Sequence, residues 1–153
     1  MEHNSIIRQL RALEKPLGLD IAAVPCSSDG YLAPADLKKA LRRKTKLVAL
    51  LHSSNVTGSI QPVEEAGRIV KEAGALYLVD AAQTAGNAPI DVRAWRADAV
   101  AFSGHKGLMG PPGTGVLYVR PGLRLDTIME GGTGSQSEKD YQPEDLPIRF
   151  ECG

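Results

Sequence analysis

Three short apolar runs, each closing on a polar cluster, constrain this chain more than any other feature. They are "KLVALLHSSN" (46–55), "ALYLVDAAQTAG" (75–86) and "DAVAFSGHK" (98–106). Such runs, apolar without alternation, suit strands buried on both faces of a parallel sheet. Parallel neighbours need a crossover, and the segment after the first run supplies one. Pro62 opens a helix at its first position, Val63, Ala66, Val70 and Ala73 line its inner side, and Gly74 stops it. "TGVLYVR" reads as a further strand. Alternating strand and helix predicts an α/β fold, a three-layer sandwich around a mostly parallel sheet. Ligands of such sheets sit beyond the carboxyl ends of the strands. His52, Asn55, Asp80, Gln83, Ser103, His105 and Lys106 all fall there. Loops are commonly polar, but solvation alone does not call for so many such groups at successive strand ends.

The rest of the chain is read more coarsely. Ile6, Leu10 and Leu13 recur at helical spacing, so a helix is expected over 5–15. "DIAAVPC" (20–26) reads as a short strand and "SSDG" as a turn. "LAPADLKKALRRKT" reads as a helix from near Pro34, with Leu37, Ala40 and Leu41 on one face. "DVRAWRAD" suits a helical turn, and the Gly-, Ser- and Pro-rich residues 131–153 read as loop. The chain contains no internal repeat.

Bulk properties exclude several function classes. The 153 residues suit one domain or part of one, and the formal net charge is zero. A neutral chain lacks the electrostatic footprint of a nucleic-acid or anionic-membrane binder. No apolar run approaches the length of a membrane span, and the polar start (Glu2, His3, Asn4) is not a signal peptide. The two cysteines, Cys26 and Cys152, form neither a CxxC pair nor a disulfide framework, which fits a reducing, cytoplasmic setting. Nothing points to a metal.

Two features of "FSGHKGLMGPPGTGVLYV" (102–119) compete for the chemistry. "GPPGTG" (110–115) resembles the start of a phosphate-binding loop, but Val116 and Leu117 stand where that loop needs Lys and Ser or Thr. It also precedes a strand, where the motif must open a helix. The glycines and prolines are better read as the tight connection back into the sheet. Lys106 is the stronger candidate. A lysine at a strand end packed among Gly104, Gly107 and Met109 can be partly stripped of water, which exposes a nucleophilic amine. Such a lysine suits covalent attachment of pyridoxal phosphate, which also needs an acidic partner for its ring nitrogen. Asp80, at the end of a neighbouring strand, is that candidate. Taken singly, Asp80 could be a turn former and Lys106 a solvated charge.

The segments "MEHNS", "HSSNVTG", "VDAAQTAG", "FSGHKGLMGPPGTGVLYV", "EGGTGS" and "LPIRFECG" together resemble the cysteine desulfurase family. More widely they are similar to class V aminotransferases, pyridoxal 5'-phosphate (PLP) enzymes of fold type I. The resemblance implies that Lys106 holds the cofactor and that Asp80 pairs with its pyridine nitrogen. It implies that Gln83 bonds the phenolic oxygen, and that Ser103 and His105 serve the phosphate. Asn55 matches the asparagine near cofactor and substrate carboxylate. His3, otherwise an ordinary terminal residue, matches a histidine that stacks on the ring and moves protons. Thr133, in "GGTG" (131–134), matches a contact to the partner subunit's phosphate site in a homodimer; without the resemblance that loop reads as a flexible linker.

The implied function is removal of sulfur from L-cysteine, giving alanine and an enzyme persulfide that passes to a sulfur-acceptor protein. The persulfide cysteine of that family lies later than these residues, and neither Cys26 nor Cys152 matches it. Set against the family, residues 1–153 form an incomplete PLP-binding large domain, lacking its N-terminal segment and the small C-terminal domain. Met1 is then internal to a longer protein. Two other functions fit the same residues. One is another class V enzyme, a small-amino-acid aminotransferase or a selenocysteine lyase. The other is an inactive, truncated domain that persists by pairing with another chain.

Overall fold

The computed structural model describes residues 1–152. They form two units, Met1–Pro121 and the residues from Gly122 onward. In the first, α1 (Asn4–Leu17) and α2 (Pro34–Ala40) precede β1 (Leu47–Leu51). Then come α3 (Val63–Glu72), β2 (Leu76–Asp80), β3 (Ala99–Ser103) and β4 (Gly115–Val119). The second unit is loop apart from one 3₁₀ turn, Ile148–Phe150.

The strands form one sheet in the order β1-β2-β3-β4. β1, β2 and β3 are parallel, and β4 returns antiparallel to β3. The α/β class and the mostly parallel sheet are as read from the sequence. Leu51 lies opposite Asp80, and Asp80 opposite Ala101. The polar residues after each run therefore emerge along a single sheet edge.

α3 covers the sheet because Val63, Ala66, Gly67 and Val70 share one helical stripe, and all four are buried. They meet Tyr77, Val79 and Val100, none of which reaches solvent. Tyr77 donates its hydroxyl to the carbonyl of Val63 at 3.1 Å. Burial, and secondarily the negative charge of Glu2, push this phenol upward, so it stays a neutral donor. Two details of α3 differ from expectation. Pro62 is the N-cap, with Val63 the first helical residue, and Ala73 is an exposed C-cap ahead of Gly74 at φ 70°.

The expected strand at 20–26 does not form. Val24 packs against the core, which accounts for the apolar run, but the segment pairs with no other strand and Pro25 has no amide to donate. α2 is shorter than expected. Leu41 turns extended (ψ 135°) and packs against the core, and Arg42 N–H then donates to Thr45 Oγ1 at 2.9 Å. α1 runs slightly beyond its expected bounds and has no buried residue; Leu17 is 63 % exposed.

At the amino end of the sheet, Asp98 immediately precedes β3 and is only 1 % exposed. One oxygen accepts from Lys71 Nζ and from the Tyr77 amide, and the other from Arg120 Nε. Burial alone would raise this carboxyl. Hydrogen bonds from Lys71, the Tyr77 amide and Arg120 outweigh it and hold Asp98 below the ordinary carboxylate range. The cluster ties α3, β2, β3 and the end of β4 together.

Candidate functional site

At the opposite, carboxyl edge lies a cavity of about 370 Å³, within the usual range of small-molecule sites. Asp80, Gln83, Ser103, His105 and Lys106 line it from the ends of β2 and β3. Asn55 enters from the loop after β1, and His3 from the start of α1. Seven of the eight residues singled out in the sequence thus share one space. Thr133 belongs to the second unit, where its hydroxyl donates to Ser135 O at 2.8 Å and accepts from Ser135 N–H at 3.2 Å.

Local chemistry sets the turns that carry Asp80, Gln83 and Lys106. Asp80 Oδ1 accepts the Ala82 amide at 2.9 Å, which starts the turn that presents Gln83. Asp80 Oδ2 has no hydrogen-bond partner among the described residues. Lys106 is half-buried and, among the described residues, has no carboxylate partner. Its loop closes on itself: Met109 N–H bonds Lys106 O, and Gly110 N–H bonds Gly104 O, each at 2.8 Å.

The glycines explain how the two turns meet. Gly86 (φ 85°) abuts the carbonyl of Gly107, and Gly107 abuts Ala85 and Asn87. A Cβ on either glycine would collide with backbone or with the Asn87 amide. The turn carrying Asp80 and Gln83 is thus packed backbone to backbone on the loop carrying Lys106. The glycines serve this approach.

His3 is the N-cap of α1. Its Nδ1 accepts the Ser5 amide at 3.2 Å and lies 2.9 Å from Ser5 Oγ. Nδ1 therefore carries the lone pair, and in the neutral ring Nε2 carries the hydrogen. The preceding Glu2 was not singled out in the sequence. Its Oε1 accepts the Leu51 amide at 2.8 Å, while Oε2 is buried without a partner. Burial raises this carboxyl above its usual range, partly offset by the Leu51 amide. Ser5, Leu51, Ser53 and Ala82 also line the cavity; beyond adjacency to the recognised segments, no signal in the sequence marked them. His52, given no catalytic role in the sequence, is buried and does not line the cavity.

The donor set fits PLP. It offers a half-buried amine without a counter-ion, a carboxylate with one oxygen free, and hydroxyl and imidazole donors beside the lysine. Among the described residues, no cluster of His, Cys, Asp or Glu could hold a metal ion.

The family model described as aminotransferase class-V matches residues 1–153. The chain belongs to the class-V aminotransferase family. It is 43 % identical to a probable cysteine desulfurase of Methanothermobacter thermautotrophicus over 99 % of this chain and 38 % of that protein. It is 42 % identical to a probable cysteine desulfurase of Pyrococcus abyssi over 99 % of this chain and 39 % of that protein. Among solved structures, the apo cysteine desulfurase of Thermococcus onnurineus matches with TM-score 0.81 and 39 % identity. That match covers 99 % of this class-V chain and 39 % of the solved one. A structure described as SspA in complex with cysteine matches with TM-score 0.80 and 30 % identity, covering 86 % of this chain and 38 % of that one. The class-V chain therefore spans about two fifths of the length of these relatives. Among the described residues, no helix is long and apolar enough to cross a membrane.

Proposed function

We propose that these residues are the cofactor-binding part of a PLP-dependent cysteine desulfurase, which removes sulfur from L-cysteine and leaves alanine. One observation carries the reading: the Lys106 amine and an Asp80 carboxylate with a free oxygen line the same cavity. The likeness to cysteine desulfurases, and to a structure described as SspA in complex with cysteine, supports this substrate class over other amino acids.

When bound, PLP supplies an electron sink for bonds at the substrate's α-carbon. The chain's own groups then have distinct tasks. Lys106 would hold PLP through its amine, and the same amine would be the base for the substrate's α-proton. Asp80 Oδ2 would face the ring nitrogen, its orientation set by the Ala82 amide on Oδ1. Gln83 donates to the phenolic oxygen. Ser103 and His105 hold the phosphate, and Asn55 the substrate carboxylate. His3 would stack on the ring, leaving Nε2 as its proton-carrying atom because Nδ1 is engaged in capping α1. In the assembled enzyme these residues belong to the large domain of a homodimer. Thr133 serves the partner's phosphate site, and sulfur leaves to an acceptor protein. Both cysteines are free thiols, in keeping with a reducing, cytoplasmic setting.

The test is product formation by the longer protein that contains this chain. With L-cysteine, a thiol reductant and PLP, alanine and sulfide should appear in equal amounts and vanish in Lys106→Ala. Transamination of alanine without sulfide release would replace the desulfurase reading with an aminotransferase.

A further inference from the structure

Behind the cavity wall, a buried polar pair joins two segments that both reach the site. His52, 7 % exposed, follows the last residue of β1, and Thr84, 4 % exposed, follows Gln83. His52 Nδ1 lies 2.9 Å from Thr84 Oγ1. The Thr84 hydroxyl is directed at the carbonyl of Ala81, 3.3 Å away. In this pair either His52 Nδ1–H donates to Thr84 Oγ1 or the Thr84 hydroxyl donates to Nδ1, according to the tautomer of the ring. The ring is also held edge-on to Trp95, with centroids 4.5 Å apart and planes at 66°.

The backbone of the same residue completes the arrangement. His52 N–H donates to Asp80 O at 2.8 Å, and His52 O accepts from Gln61 N–H at 2.9 Å. His52 is thus bonded to the first residue of the 80–84 turn through its backbone and to the last through its ring. Gln83 lies between those two anchors. An aliphatic residue would fill the space beside Trp95 but could not bond Thr84.

We propose that His52 is a positioning residue: acting through Thr84, it braces the 80–84 turn and sets how Gln83 is presented to the cavity. It touches neither cofactor nor substrate. The inference rests on the proposed role of Gln83 toward PLP. Groups that orient a site must be held to within about half an ångström, and buried supporting hydrogen bonds do this.

The experiment uses Thr84→Val and His52→Leu, which remove the bond. Thr84→Ser and His52→Asn keep a hydroxyl and a donor in place. Two readouts are taken. In the cofactor-free chain, hydrogen exchange of the Thr84 and Ala85 amides, both bonded to Ala81 O, should accelerate roughly five- to tenfold in Thr84→Val, the loss of one net hydrogen bond. Thr84→Ser should restore it. In the PLP-loaded chain, the absorbance maximum should move in Thr84→Val and His52→Leu in the same direction as in Gln83→Ala, and return in Thr84→Ser and His52→Asn. Unchanged exchange overturns the brace. A maximum unmoved by Thr84→Val but moved by Gln83→Ala overturns the positioning role. If Gln83→Ala itself leaves the maximum in place, the role given to Gln83 fails, and exchange in the cofactor-free chain decides the brace alone.

Discussion

Asp80 and Asp98 stand at opposite ends of the adjacent strands β2 and β3, and the contrast between them separates a site from a staple. Asp98 is closed off: both oxygens are occupied by Lys71, the Tyr77 amide and Arg120. Asp80 spends one oxygen on the Ala82 amide and presents the other to a cavity that also holds Lys106. A buried charge with every lone pair answered holds elements together. A half-buried charge left partly unanswered, beside an amine that is also unanswered, is arranged for a ligand.

The largest expected effect tests the staple. Asp98→Ala takes the acceptor from the buried Tyr77 amide and from the charged donors Lys71 and Arg120 and should cost about 3 kcal/mol, read from the urea midpoint and slope. If Asp80→Ala costs as much, the distinction between the two aspartates fails. Next is the seam between the two turns. Gly86→Ala puts a methyl group against Gly107 at positive φ and should cost about 1–3 kcal/mol. It should also weaken PLP binding, followed by absorbance titration, because the Lys106 loop is displaced.

A smaller effect comes from pH. Burial lowers His52 below its ordinary value of 6.5. Between that value and its lower folded-state pKa, the unfolded chain binds the proton and the folded chain does not. Stability present above pH 6.5 is therefore lost as pH falls through the folded pKa. Asp98, also lowered, adds a second loss at more acid pH, below its ordinary 3.8. Glu2, raised from 4.5, acts in the opposite sense. Urea midpoints from pH 7 to pH 4.5 in the native chain and His52→Leu isolate the histidine, because Glu2 cancels in the difference. The His52→Leu curve should be the flatter one. The smallest change is expected for Asp80→Asn, which keeps the Oδ1 acceptor. Its midpoint should move by less than about 1 kcal/mol while PLP binding weakens.

The site end of the molecule was far more legible in the sequence than the staple end. Unbroken apolar runs announce buried parallel strands, and a parallel sheet delivers their polar ends to one edge. Asp80, Ser103 and Lys106 could therefore be grouped without knowing a single contact. Asp98 could not, because its partners lie 27, 21 and 22 residues away. No local pattern distinguishes it from an ordinary loop aspartate. The 20–26 segment failed for a related reason: its composition favours a strand, but a strand exists only with a partner, and Val24 packs partly buried against the core without one. Glu2 was overlooked because its burial depends on reaching the Leu51 amide, a contact across 49 residues.

The central claim, that the amine at Lys106 receives the cofactor opposite the free oxygen of Asp80, can be tested by covalent trapping. The chain is mixed with PLP, reduced with borohydride and digested, and the phosphopyridoxyl mass is located by peptide sequencing. The account predicts label on Lys106, with less trapped at limiting PLP in Asp80→Asn. Label spread over exposed lysines such as Lys38 and Lys39, or undiminished overall in Lys106→Ala, would contradict it.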